Sequence, residues 1–412
     1  MLRALSEEEG MLSERIREEI IEEVDLTRDL TDEEIRSHIR ERVLDEGHEH
    51  QIPLQERLMM EERIFNSLRK LDILEELLAQ DDITEIMVNG PDNIFIEKGG
   101  KLFKSPLRFS SAEKLSDVIQ QIAAERNKVI NESSPIVDTR LPDGSRINII
   151  LPPISLNQGV LTIRRFPKEK ITMRKLMEFG SISPEIVEFL RLLIVSGYNI
   201  FISGGTGSGK TTFLNALTEF IPKDERVITI EDSAELQVIG IENLVRLEAR
   251  DKNLEGNLEV TIRDLVKASL RMRPDRIIVG ECRGAEALEV LQAFNTGHDG
   301  SLSTGHANSA KDMIARLETM VLMGMELPVS AIRSQIASGV DILVHLGRLS
   351  DRSRKLLEVS EVTGMANGEV EISPIFRYSE DGTKKWEKTG RLVNSRKLSM
   401  AGLLEDARSY CS

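Results

Sequence analysis

Gly204-Gly205-Thr206-Gly207-Ser208-Gly209-Lys210-Thr211 is the stretch from which the fold of this chain can be read. The spacing of Gly204 and Gly209, with Lys210 and Thr211 directly behind, is that of a loop whose inward-turned N–H groups cradle phosphate oxygens. Glycines give the backbone the freedom such a loop needs, and a helix N-terminus behind it adds positive potential. The flanks agree: an apolar run, Asn199 to Ser203, leads in, and a helical stretch, Thr211 to Phe220, leads out. A tight Gly turn with no ligand would need neither flank. The segment Gly204, Gly205, Thr206, Gly207, Ser208, Gly209, Lys210, Thr211 and Thr212 is therefore expected to hold the phosphates of ATP. Lys210 is expected on the β and γ phosphates, and the Thr211 hydroxyl in the shell of a Mg²⁺ ion.

Around this loop, apolar strands alternate with helical stretches, the pattern of a parallel sheet covered by helices. Tyr198 to Ser203, Arg226 to Ile230, Arg276 to Val279 and Asp341 to Leu346 are the expected core strands. In such sheets ligands bind at the carboxyl ends of strands, so acids found there gain meaning. Glu231, Asp232 and Glu235 follow one strand, and Glu281 follows another. Each could act as a general base for water or as an outer-shell partner of Mg²⁺, Glu281 through a water. A lone acid at a strand end is more often merely solvated; a phosphate loop in the same sheet reverses that balance. The stretch Gly297 to Ala307 holds His298 and His306, two of only six histidines. An imidazole there could sense a γ-phosphate, make a structural hydrogen bond or bind metal, although no third ligand stands at zinc spacing.

Upstream, Ile16, Ile20 and Val24 recur at helical spacing among Glu and Arg, predicting an amphipathic helix over Leu12 to Val24. Thr31-Asp32-Glu33-Glu34 has the form of a capping box, with Ile35, Ile39 and Val43 behind it. A third helix follows Pro53, with Leu54, Leu58, Phe65 and Leu68 on its expected apolar side. Beyond Leu71 come short strands, Glu85 to Val88, Asn93 to Ile96 and Lys101 to Phe103, around Gly90-Pro91-Asp92 and Gly99-Gly100. A helix is expected over Ser111 to Ile130, and a hairpin around Asp143-Gly144 within Asp138 to Pro153. The chain thus reads as an acidic helical segment (1–74), a mixed α/β domain (75–167), a linker with a short helix (168–184) and an α/β domain (185–412).

Bulk properties narrow the function. Of 412 residues, 40% are hydrophobic and 30% charged, as in a water-soluble globular protein. The net charge is −15, and residues 1–74 carry most of it, with 21 Asp and Glu against 11 Lys and Arg. With that charge, one Trp and three Tyr, a nucleic-acid-gripping surface is a poor expectation. Cys282 and Cys411 form no Cys-x-x-Cys pair, so neither a disulfide framework nor a zinc site is implied, and Cys282 reads as packing. The most apolar run, Ile186 to Ile202, is broken by Glu188, Arg191 and Gly197, and Glu7, Glu8 and Glu9 stand where a signal peptide would be basic. A cytoplasmic location is expected.

The order of the phosphate loop, Thr229 to Glu235, Arg273 to Arg283 and Gly297 to Ala307 resembles the Walker A motif, Asp box, Walker B motif and His box of the secretion ATPase superfamily. Thr84 to Pro91 and Asp138 to Arg146 resemble the amino-terminal domain of its CpaF (TadA-type) branch, and the missing four-cysteine zinc insertion points the same way. The resemblance implies a RecA-like ATPase domain with a predominantly parallel sheet, preceded by a PAS-like α/β domain and the helical segment. It also implies a homo-hexamer in which Arg140 and Arg146 reach toward phosphates, with Arg165 a weaker candidate. The catalytic set would then be Lys210, Glu235, Glu281, His306, Arg140 and Arg146. The implied partners are integral-membrane platform proteins, which would hold the chain at the inner face of the membrane. Two rivals are a kinase, whose turnover would need an acceptor, and a nucleic-acid-translocating ring ATPase. A third is a regulator that docks partners through residues 1–74 and scarcely hydrolyses ATP.

Overall fold

A computed structural model describes residues 7–23, 30–165, 171–250, 259–379 and 385–412. The chain divides into two compact units, Met1–Glu169 and Lys170–Ser412.

The first unit opens with three helices, α1 (Glu7–Glu23), α2 (Asp32–Glu49) and α3 (Leu54–Arg69), around a core that includes Ile16, Ile20, Ile35, Ile39, Val43, Met60, Ile64 and Phe65. The capping box is formed: Glu34 N donates to Thr31 Oγ1 and Thr31 N donates to Glu34 Oε2 at 2.8 Å. Val24 lies outside the described residues. The apolar side expected for the third helix is corrected. Phe65 and Leu68 do pack on the core, but Leu54 and Leu58 are exposed, and Met60 and Ile64 face inward in their place.

Next come α4 (Ile73–Leu78) and a six-stranded antiparallel sheet ordered β3-β2-β1-β6-β5-β4. Its strands are β1 (Ile83–Asn89), β2 (Ile94–Lys98), β3 (Lys101–Lys104), β4 (Ile136–Arg140), β5 (Arg146–Ile150) and β6 (Val160–Arg164). Alternate residues such as Ile86, Val88, Ile147, Ile149, Leu161 and Ile163 pack beneath α5 (Ala112–Ala124) and α4. Helix α5 stops before the expected Ile130. Asn127 adopts φ 52°, and Lys128 N closes on Ala123 O at 2.9 Å, a left-handed helix end.

The second unit contains α6 (Met173–Glu178), α7 (Pro184–Val195), β7 (Ile200–Gly204), α8 (Lys210–Leu217), β8 (Val227–Glu231), β9 (Leu244–Glu248), α9 (Ile262–Ser269) and β10 (Arg276–Cys282). It continues with α10 (Ala287–Asn295), β11 (Leu302–Gly305), α11 (Ala310–Gly324), α12 (Val329–Gly339), β12 (Ile342–Arg348), β13 (Arg354–Ala366), β14 (Glu369–Tyr378), β15 (Trp386–Lys388) and α13 (Arg396–Met400). The sheet order is β15-β14-β13-β12-β7-β11-β10-β8-β9, parallel from β12 to β9 and antiparallel from β12 to β15. Central strands are buried on both faces, which is why they read as unbroken apolar runs. One face packs on α7 and α8, the other on α9 to α12. Met173, Leu176 and Ile182 belong to that core, as do Leu392, Leu398, Ala407 and Tyr410 near the C-terminus. Among the described residues no helix is long and apolar enough to cross a membrane.

Candidate functional site

β7 carries its chain straight into the phosphate loop. Strand β12 runs beside it in register, Leu346 opposite Gly204, so the loop emerges at the carboxyl edge of the parallel sheet. Gly204 cannot carry a side chain: a Cβ there would lie 2.5 Å from Leu346 O and 2.6 Å from Ser208 Oγ. Gly207 and Gly209 adopt φ 72° and 94°, and Gly209 caps α8 in the left-handed region. Lys210, first residue of α8 and buried, donates through Nζ to Gly204 O (3.1 Å) and Gly205 O (3.2 Å). Its third contact is Nδ1 of His306 at 3.2 Å.

That contact fixes the tautomer of His306. An ammonium has no lone pair, so Nδ1 must accept and Nε2 must carry the proton. Nε2 stands 2.6 Å from Glu281 Oε1. Desolvation first, and then the Lys210 charge, hold the imidazole pKa below its ordinary value, with Glu281 acting the other way. Desolvation likewise lowers the Lys210 pKa, while Glu281 acts against it.

Glu281 projects from β10, and its Oε2 accepts from Arg283 Nε at 2.9 Å and from Nη2 at 2.5 Å. Arg283 Nη1 is 3.5 Å from Asp232 Oδ2. Its guanidinium is held charged by Glu281 first, and then by Asp232 and Glu235. One continuous chain, Lys210–His306–Glu281–Arg283–Asp232, thus spans the ends of β7, β11, β10 and β8, with Glu235 in its field. The parallel topology makes this possible, because residues that follow four different strands emerge at the same edge.

Other residues stand elsewhere. His298 precedes β11 and so sits at the opposite edge, where Nδ1 lies 3.3 Å from Ala293 O at the end of α10. Thr211 and Thr212 occupy the first turn of α8. Cys282 is buried and packs in the core below β10. Arg140 and Arg146 belong to the first unit and face each other across the β4–β5 hairpin; Arg146 in turn pairs with Arg164, and Arg164 with Glu85. The register puts Arg140, Arg146 and Arg164 in one transverse row, and Arg164 Nε lies 3.8 Å from Glu85 Oε1. Arg165 is not in the row: its guanidinium donates to the carbonyls of Gln80 and Ile83.

Two residues escaped the sequence reading. Arg354 opens β13 and donates from Nε to Gly207 O at 2.9 Å, gripping the apex of the loop. Its only signal was a cationic turn, Arg348 to Lys355, with no loop-binding pattern. Asn215 on α8 accepts at Oδ1 from Gln237 N (2.8 Å), tying the loop after β8 to the phosphate-loop helix.

The cradle fits a triphosphate. The glycines leave the space, Ser208 Oγ is buried without a hydrogen-bond partner, and Lys210 is poised on weak carbonyl contacts that phosphate oxygens can replace. These features define a phosphate-loop protein with its site at the carboxyl edge of a mainly parallel α/β sheet. The family model "Type II/IV secretion system protein" matches residues 67–398, and the chain belongs to that family. A putative conjugal transfer protein of Mycobacterium tuberculosis is 36% identical over 310 residues, covering 74% of this chain and 87% of that protein. The conjugal transfer protein TrbB of Rhizobium radiobacter is 34% identical over 312 residues, covering 74% and 92%. The crystal structure of the pilus retraction motor PilT with bound ADP shares the fold, with TM-score 0.52 and 18% identity, over 82% of this chain and 88% of that one.

Proposed function

We propose that the chain is an ATP-hydrolysing motor of a type II/IV secretion or pilus machine, in the CpaF/TadA-type tight-adherence branch. The observation that carries this reading is the side-chain path from Lys210 through His306 to Glu281 at the mouth of the phosphate loop. When triphosphate enters, Lys210 leaves the Gly204 and Gly205 carbonyls and His306 for the β and γ oxygens. His306 then keeps only its close contact with Glu281, so loss of the γ-phosphate is felt at that carboxylate. Glu235 activates the attacking water, and Glu281 lies toward the metal side. Mg²⁺, held by the Thr211 hydroxyl with Glu281 behind a water, would offset phosphate charge. Among the described residues no three His, Cys, Asp or Glu could hold a metal alone, and such a phosphate-bound Mg²⁺ needs no such cluster.

In this reading residues 185–412 form the RecA-like motor domain, 75–167 a PAS-like domain, 168–184 the linker and 1–74 a helical docking segment. Six copies form a ring, Arg140 and Arg146 neutralise phosphate charge on closure, and hydrolysis drives rigid-body motion against a membrane platform protein. The chain then works at the inner face of the cell membrane, held there by its partners. Lys210→Ala should abolish turnover, and full ATPase activity in that variant would refute the site. Glu281→Gln should bind ATP yet fail to hydrolyse it. The names of the conjugal transfer relatives favour a second reading, a nucleic-acid-translocating ring. ATPase activity stimulated by DNA and weakening steeply with salt would support it over the pilus motor.

A further inference from the structure

Glu231, Asp232 and Glu235 crowd the end of β8, and the structure gives them different surroundings. Glu231 is 3% exposed. Its Oε1 accepts from two successive main-chain groups, Glu235 N at 2.7 Å and Leu236 N at 2.8 Å, and its Oε2 is buried without a hydrogen-bond partner. A general base must reach the water it deprotonates, and this carboxylate faces the protein. Gly280 on β10 makes the room: a Cβ there would stand 2.9 Å from Glu231 Cγ. The next amide along, Gln237 N, is taken by Asn215 Oδ1 at 2.8 Å, and Arg246 Nη2 donates to Leu236 O at 3.0 Å. Three consecutive amides of an irregular loop are thus held by side chains from β8 and α8, and α8 begins at Lys210. Asp232, by contrast, is exposed and 3.5 Å from Arg283, while Glu235 is only half-buried.

We propose that Glu231 and Asn215 are positioning residues that clamp the loop 232–237 and so set where Glu235 stands relative to the phosphates. This rests on the ATPase reading above. The clamp works through hydrogen-bond acceptance, so an isosteric amide should replace the carboxylate: Glu231→Gln keeps an oxygen where Oε1 stands. Glu231→Ala leaves two amides without an acceptor and frees the loop.

The test is steady-state ATPase kinetics on the full chain, beside calorimetric binding of a non-hydrolysable ATP analogue and thermal melting. Wild type and Glu231→Gln should agree in kcat within about threefold. Glu231→Ala and Asn215→Ala should lose at least about tenfold in kcat, because small misplacement of a reacting group is costly. Affinity for the analogue should stay within about threefold, since the clamp does not touch the phosphate cradle. Asn215→Ala decides alone if Glu231→Ala melts too low to assay. Wild-type kcat in the folded alanine variants overturns the clamp while leaving the ATPase reading intact. Glu231→Gln as inactive as Glu231→Ala overturns it too, because the charge and not the acceptor would then matter. A wild-type chain that binds the analogue or ATP not at all overturns both readings.

Discussion

Arg354 shows how one side chain can matter to a loop it does not belong to. By gripping Gly207 O it pins one side of the Gly207–Ser208 peptide, and the N–H on the other side turns inward to Gly205 O at 3.3 Å. That long bond is one a phosphate oxygen can displace. Arg354→Ala should therefore weaken ATP binding, raising KM roughly threefold to tenfold for the loss of about 1 kcal/mol of charge-assisted hydrogen bonding, with the melting temperature little changed. Glu231 offers a test in pH. Burial pushes its carboxyl up to about 7 against an ordinary 4.5, the bonds from Glu235 and Leu236 N–H acting against the shift. The folded state thus favours the protonated form, and stability falls as pH rises from 4.5 through 7, by about 3 kcal/mol when ionisation is complete. Glu231→Gln cannot ionise, so the nucleotide-free variant should melt above wild type near pH ~8 and lose that advantage near pH ~5. Melting curves that run parallel across this range would contradict the assignment.

Elements were legible where periodicity was strong and obscure where it was not. β7, β8 and β12 are apolar runs, each expected within a residue or two of its bounds, while β10 was expected to end three residues early, at Val279 rather than Cys282. β11 was not expected as a strand: Ser303 and Thr304 are fully buried between β7 and β10, but a Ser-Thr-Gly run carries no apolar signal. The expected stripe on α3 held at Phe65 and Leu68 and failed at Leu54 and Leu58, because the contacts with α1 and α2 selected Met60 and Ile64 in their place. The C-terminal tail was less informative in sequence, yet its Leu392, Leu398, Ala407 and Tyr410 pack into the core. Tyr410 packs with its ring centroid 5.1 Å from Phe189 and 6.4 Å from Phe376, and Lys397 reaches Asp341 and Asp299 at 2.7 Å each. Tyr410→Ala should cost about 3 kcal/mol, a drop of several degrees in melting temperature, since it empties a packed aromatic site.

At the scale of the whole molecule, the arginines of the first unit give the decisive experiment for the proposed ring. Arg140 and Arg146 face one another across a hairpin, and they are the pair proposed above to neutralise phosphate charge. Arg140→Ala and Arg146→Ala should each lower turnover at least about tenfold in the assembled protein. Binding of ATP to a single subunit should stay nearly unchanged; equal loss of binding would place these groups in the subunit's own cradle instead. The chain alone determined the phosphate loop, the alternation of strand and helix around it and the acids that follow the strands, because those are local patterns written in spacing and periodicity. Tertiary structure alone decided which histidine meets Glu281, which acid is buried as a clamp and which arginine grips the loop. Those pairings join residues far apart in sequence, and the order of strands in the sheet, which no local pattern encodes, brings them to one edge.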